Sequence, residues 1–184
     1  LASLLVLISS FGQESVQIAS WNIEHLNGSP KKDCDFGDRG GFYGCGKCGM
    51  GRRTDENLKA IADLIKELDL QVLALQEIHQ KDGECKQLKQ IQENLGDNWK
   101  YLIPEVTKGT KPMQTAFLYD SKKVQLDTVF TLNYPKTKVQ GKYMFDRMPY
   151  IAKFSALKSN KAQNDFVLVN LHLASGQDKR ENKL

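Results

Sequence analysis

Three runs of β-forming residues in this 184-residue chain end in side chains able to hold a cation, grip a phosphate or move a proton. Ile18–Trp21 leads into Asn22, Leu73–Leu75 into Gln76 and Glu77, and Phe166–Val169 into Asn170, Leu171 and His172. Many α/β enzymes build a site by delivering polar groups at the C-terminal ends of buried strands, so three such endings in one chain predict a catalytic face. Glu77 is the leading candidate ligand for a hard cation such as Mg²⁺, with Mn²⁺ or Ca²⁺ as alternatives, because a carboxylate offers oxygen donors. Asn22 offers that ion a carbonyl oxygen, or a hydrogen bond that orients the carboxylate. His172 can give or take a proton near neutral pH. Asn170, two residues earlier on an alternating strand, points to the same side. Arg147, in Phe145-Asp146-Arg147-Met148-Pro149-Tyr150, carries a planar guanidinium suited to a two-bond grip on a phosphate. A salt bridge to Asp146 is the alternative for it. Glu105, after Pro104, is a candidate to orient His172. For Glu77 and His172 the plain alternatives are a surface carboxylate in a turn and a satisfied structural histidine; their joint placement favours chemistry.

These residues need a frame to hold them. Val16–Trp21 reads as a buried strand, followed by a long Gly-, Lys- and Asp-rich loop from Asn27 to Arg53. Thr54 is placed to cap a helix whose first turn carries Asp55 and Glu56, facing the positive end of the helix dipole. Leu58, Ile61, Ala62, Ile65 and Leu68 fall at helical spacing and form one apolar stripe. Gln71–Leu75 is the next strand, and this strand–helix–strand unit predicts two parallel neighbours. A second helix is expected from Cys85 to Leu95, stopped by Gly96. Strands are expected at Trp99–Pro104, Gln114–Tyr119, Val124–Leu132, Tyr150–Leu157 and Asp165–Leu173, with polar turns at Thr107–Lys111 and Lys158–Asn164. The expected class is α/β (α+β), with mixed, mainly antiparallel sheets packed in two layers and flanked by helices.

Hydrophobic residues make up 40% of the chain and charged residues 26%, as in an ordinary soluble domain. The net charge of +4 suits a polyanionic partner, as does a plain solvated surface with surplus lysine. Lys108, Lys111, Lys136 and Lys138 lie in turn-rich segments that could follow a phosphate backbone. Residues 1–13 open with an apolar stretch, Leu4-Leu5-Val6-Leu7-Ile8, too short to span a bilayer. It reads as the remnant of a secretory signal, with an N-terminal core strand as the alternative. Export would place the chain outside the cell or in the periplasm. Cys34, Cys45, Cys48 and Cys85 then read as a disulfide framework, with a four-thiolate zinc site as the competing reading of Cys45-Gly46-Lys47-Cys48.

Taken in order, Trp21-Asn22, Gln76-Glu77, Asn170-Leu171-His172 and Arg147-Met148-Pro149 resemble the endonuclease/exonuclease/phosphatase superfamily, typified by deoxyribonuclease I and exonuclease III. The resemblance runs from about residue 16 to the end. It implies a four-layer α/β/β/α sandwich and Mg²⁺-dependent phosphodiester hydrolysis, with nucleic acid as substrate and DNA ahead of RNA. It also implies that Glu77 ligates the metal with Asn22 beside it, that Arg147 holds the phosphate, and that His172 serves in acid–base or transition-state stabilisation. Two family motifs are missing, a Gly-Asp-x-Asn strand end and a terminal Ser-Asp-His, and the chain stops twelve residues beyond His172. The expectation is therefore that residues 14–184 are the N-terminal portion of a single such domain with its C-terminal part missing. By itself that portion would lack normal hydrolytic activity and would leave an open sheet edge and exposed apolar surface. Two alternatives stand beside this reading: a phospholipid or inositol-phosphate phosphodiesterase of the same fold, and a non-catalytic binding remnant. No stable membrane insertion is expected, and the oligomeric state is left open.

Overall fold

The computed structural model describes residues 4–7, 16–26, 53–80, 85–105, 113–132, 138–139, 142–143, 148–158 and 161–172. Strand β1 (Leu4–Leu7) pairs antiparallel with β2 (Ile18–Leu26), which is the strand alternative for the apolar N-terminal stretch. Helix α1 (Asp55–Glu67) starts as expected at Thr54, whose hydroxyl accepts from the Asn57 amide while the Asn57 side chain accepts from the Thr54 amide. This reciprocal capping satisfies two of the helix's first amides. Asp69, at φ +47°, turns the chain out of the helix into β3 (Val72–His79). Helix α2 (Lys86–Leu95) follows and ends at Gly96, whose φ of +120° suits a residue without a Cβ.

Strand β3 runs parallel to β2 and antiparallel to β5 (Met113–Asp120), which in turn pairs with β4 (Trp99–Leu102). The first sheet therefore has the order β1-β2-β3-β5-β4. A second, antiparallel sheet has the order β10-β9-β6, built from β6 (Val124–Thr131), β9 (Tyr150–Lys158) and β10 (Lys161–Asn170). A two-stranded piece, β7 (Lys138–Val139) with β8 (Lys142–Tyr143), lies apart from both. Strand β10 begins earlier than Asp165, because Lys161 and Ala162 pair with β9 across an irregularity before Asp165. Tertiary pairing has drawn a polar segment that reads as turn into the sheet.

Alternation along β3 separates two cores. Leu73, Leu75 and Ile78 join Leu58, Ala62 and Ile65 of α1 and Leu88 and Ile91 of α2 on the helix side. Val72 faces the other way and packs with Phe117, Tyr119, Val124, Tyr150, Ala152 and Phe154 between the sheets. Phe117 and Phe154, both fully buried, meet edge to face with centroids 6.0 Å apart. Burying each ring stabilises by about 1.5–3 kcal/mol. The described residues thus build helix, sheet and sheet layers. The outer face of the second sheet leaves Phe130, Val167, Val169 and Leu171 exposed.

A buried cluster of hydrogen bonds at Asn170 ties the two sheets together. The Gln76 side chain donates from Nε2 to Asn170 Oδ1 at 2.8 Å, while Asn170 Nδ2 donates to the carbonyls of Leu75 (3.0 Å) and Ala116 (2.9 Å). Leu75 and Ala116 are the last partners on β3 and β5 before their register shifts, so the Asn170 amide caps carbonyls at the break. Cys85, next to α2, is a free and fully buried thiol, and burial pushes it up to about 11 against the pull of the Leu88 and Gln87 amides. Cys34, Cys45 and Cys48 lie outside the described residues, and so does the pairing expected of them.

Asn170→Ala takes the side-chain donor from the carbonyls of Leu75 and Ala116 and one acceptor from Gln76, which keeps Ser20 Oγ and the Ala74 carbonyl, and each group left unsatisfied costs about 1–3 kcal/mol. Urea denaturation is expected to show a loss of about 2–4 kcal/mol at unchanged m-value, and a loss below about 0.5 kcal/mol would show that water replaces the amide. For Cys85, peptide mapping after alkylation at pH 8 is expected to find the thiol unmodified in the native chain and modified in urea. Ready labelling of the native chain would mean that the start of α2 opens.

Candidate active site at the strand ends

The parallel ladder between β2 and β3 breaks where the polar residues begin. It holds through Asn22 opposite Gln76 and resumes at Leu26 opposite Ile78, so Ile23, Glu24 and His25 stand against Glu77 alone. Both strands kink here, with Glu24 at φ +52° and Glu77 at φ +65°. Left-handed backbone at a residue other than glycine costs on the order of 1–3 kcal/mol and persists only where the surroundings enforce it. The kink has a direct effect on side chains. Unbroken alternation would send Glu77 to the helix-side core after Leu73 and Leu75, but Ile78 takes that place and the carboxylate is left at the rim.

There the side chains of Glu77 and His172 are 16% and 14% exposed. Asn22 Nδ2 donates to Glu77 Oε1 at 3.0 Å, and His172 Nε2 stands 3.7 Å from the same oxygen. That separation is long for a direct hydrogen bond and suits an ion pair once the imidazole is protonated. Asn22 Oδ1 accepts from the Glu24 amide at 3.1 Å, so one side chain orients the carboxylate and braces the bulge. Of the two roles expected of Asn22, this structure shows orientation. A histidine from one sheet and a carboxylate from the other, steadied by an amide, form a site for holding or moving a proton beside a hard oxygen donor.

Asn170 does not join that site. It is 1% exposed and spends its amide on the bond between the sheets, so it shares a side with His172 but sits deeper, as a structural link. Glu105 is exposed, and its charge acts on the Tyr150 hydroxyl, which burial first and Glu105 second push up to about 12. His172 is met by Glu77 in the place expected for Glu105. Arg147, and the turn lysines Lys108, Lys111 and Lys136, lie outside the described residues; Lys138 is in β7.

Two contributors had no role of their own in the sequence reading. Gln76 was noted only as a neighbour of Glu77, yet its inward direction follows from alternation with Val72 and Ala74. Besides Asn170 it reaches Ser20 Oγ at 3.2 Å, on the wall of a cavity of about 300 Å³ between β2, β3 and β10. Arg53, just before the α1 cap, donates from Nη2 to the carbonyls of Ile23 and of Glu24, the latter at 3.2 Å. Burial lowers its guanidinium from the usual arginine range, and the nearby Glu24 charge offsets part of that. No local pattern announces a contact between residues about thirty positions apart.

No protein-family model matches the chain, and no curated protein does. Solved structures do. A humanized TDP2 from D. rerio carrying 14 mutations matches 91% of this chain and 54% of its own at 12% identity, with a TM-score of 0.54. Truncated TDP2 from Caenorhabditis elegans matches 72% of this chain and 45% of its own at 21% identity, with a TM-score of 0.49. An endonuclease/exonuclease/phosphatase from Bacteroides vulgatus matches 68% and 48% at 15% identity, with a TM-score of 0.45. The chain thus spans about half the length of these structures. With its two facing sheets and helix layer, this chain shares in part the fold of the TDP2 structure, the α/β sandwich that the sequence resemblance implies.

Proposed function

We propose that the protein carrying these residues is a metal-dependent phosphoesterase that hydrolyses phosphodiester bonds in nucleic acid, in the manner of a deoxyribonuclease I-like endonuclease. The observation that carries this reading is the Glu77 carboxylate, held by Asn22 and faced by His172 at strand ends drawn from both sheets. Phosphoester hydrolysis is supported by the fold. The choice of nucleic acid rests on the surplus of lysine and the net charge of +4. Export is part of the same proposal and rests on the apolar composition of the N-terminal stretch alone, whose Leu4–Leu7 also pairs with β2.

The donor set suits Mg²⁺. Among the described residues no group of three or more His, Cys, Asp or Glu side chains converges, which does not suit an all-protein cage. Mg²⁺ commonly keeps several waters and binds through one or two carboxylates plus substrate phosphate, and one partly exposed carboxylate at a rim meets that need. Glu77 would hold the ion, with Asn22 fixing the direction of the carboxylate. The ion would polarise the phosphoryl oxygen and stabilise charge on the leaving oxygen. His172 Nε2, 3.7 Å from the Glu77 carboxylate, would give or take a proton at the edge of the ion's site.

The test is cleavage of plasmid DNA, RNA and sphingomyelin in parallel, with Mg²⁺ and with EDTA. Mg²⁺-dependent nicking of DNA is expected, with His172→Ala slower by about 10²–10⁴-fold and Glu77→Gln at least as impaired. Full activity of Glu77→Gln, or cleavage indifferent to EDTA, would refute the assignment of the site. Turnover of sphingomyelin with none of DNA would keep the chemistry and move the substrate class.

A further inference from the structure

We infer that Arg53 is a positioning residue for the Asn22–Glu77 pair, acting from the helix layer through the backbone of the β2 bulge; this rests on the functional reading given above. Across the bulge, three residues of β2 face one of β3, so their peptide groups fall out of the ladder register. Two side chains take up the slack. Asn22 Oδ1 receives the Glu24 amide, and Arg53 Nη2 donates to the carbonyls of Ile23 and Glu24. A guanidinium is suited to this, because its donors are fixed in a plane and its charge strengthens bonds to carbonyl oxygen.

Arg53 is itself anchored. Its carbonyl accepts from Gln87 Nε2 at 3.0 Å, and Gln87 is 3% exposed on the first turn of α2. Thr54, the next residue, caps α1. The position of Arg53 is therefore set by the starts of both helices, and the guanidinium carries that position to the end of β2. At the start of the bulge and just after it, Ile23 and Leu26 are buried at 2% and 0% exposure. They hold the chain from the core side while Arg53 holds its carbonyls. Between these restraints the Glu24 amide is presented to Asn22, and Asn22 in turn presents Nδ2 to Glu77. Without Arg53 two bulge carbonyls lose their donor, Glu24 has less to keep it at positive φ, and Asn22 gains rotamers that no longer meet the carboxylate.

The experiment compares the full-length protein that carries these residues with its Arg53→Gln and Arg53→Lys variants. The expected result for Arg53→Gln is a kcat reduced about 10-fold or more, with KM within about twofold, as for loss of an interaction realised only in the transition state. Arg53→Lys is expected to recover most of kcat, since an ammonium can still serve one carbonyl. The second readout is the side-chain amide resonance pair of Asn22 in nitrogen–proton NMR spectra, which is expected to shift in Arg53→Gln and return towards wild type in Arg53→Lys. Unchanged Asn22 resonances in Arg53→Gln overturn the positioning role whatever the activity. Should Arg53→Gln fail to fold, a folded Arg53→Lys with wild-type kcat and resonances supports the role, and one with altered kcat but unaltered Asn22 resonances overturns it. A full-length wild-type protein with no phosphoesterase activity would sink the functional reading, and the resonances alone would then decide this one.

Discussion

The hydrogen bond from Gln76 to Asn170 is the constraint on which the rest of the site depends. It joins side chains 94 positions apart and crosses the space between two sheets whose facing surfaces are mostly apolar. A polar bridge in such a setting is demanding, because a buried amide without partners costs more than a satisfied one gains. Satisfied as it is here, it fixes how β10 sits over β3. Apolar packing alone does not choose a register so sharply, since rings such as Phe117 and Phe154 have no directional donors to satisfy. The bridge sets the spot at which β10 ends, and His172 is two residues further on. The meeting of imidazole and Glu77 carboxylate is a consequence of that placement.

The second constraint is the bulge. In a regular strand a residue points either into a core or away from it, and Glu77 would by parity belong to the helix-side core. Burying an ionised carboxylate there would be costly. The left-handed turn at Glu77 removes it from the alternation and lets Ile78 fill the core instead. The price in backbone strain is offset by bonds from Asn22 and Arg53, so one local irregularity both avoids a buried charge and creates the exposed corner where a cation or phosphate could bind.

Much of this was legible in the sequence. The Thr54 cap, the α1 stripe, the Gly96 stop and the parallel pairing of the first two long strands all follow from local patterns or chain-path rules, and the structure has them. The strand-end residues Asn22, Glu77 and His172 were legible because polar groups after β-runs stand out. Other features were not. Asn170 looked catalytic because alternation gives the side of a strand but not the depth, and depth is set by how the sheets meet. Glu105 looked like the residue that orients His172, and no sequence pattern pointed to the Glu77 carboxylate, 95 positions away on the other sheet, that stands 3.7 Å from the imidazole. The early start of β10 escaped notice because Lys161–Asn164 is polar, and its pairing with β9 outweighs its turn-like composition. Arg53 carries no local mark of its role at all.

The distance along the chain between the two halves of the site also sets a clock. The β2–α1–β3 unit is built from near neighbours, and such contacts form quickly once made. The bond between sheets must wait until residue 170 is available, and loop closure over so many residues is slow. Glu77 is therefore presented long before His172 reaches it. On a ribosome, Glu77 and Asn22 stand together without the imidazole until β10 has been made and paired.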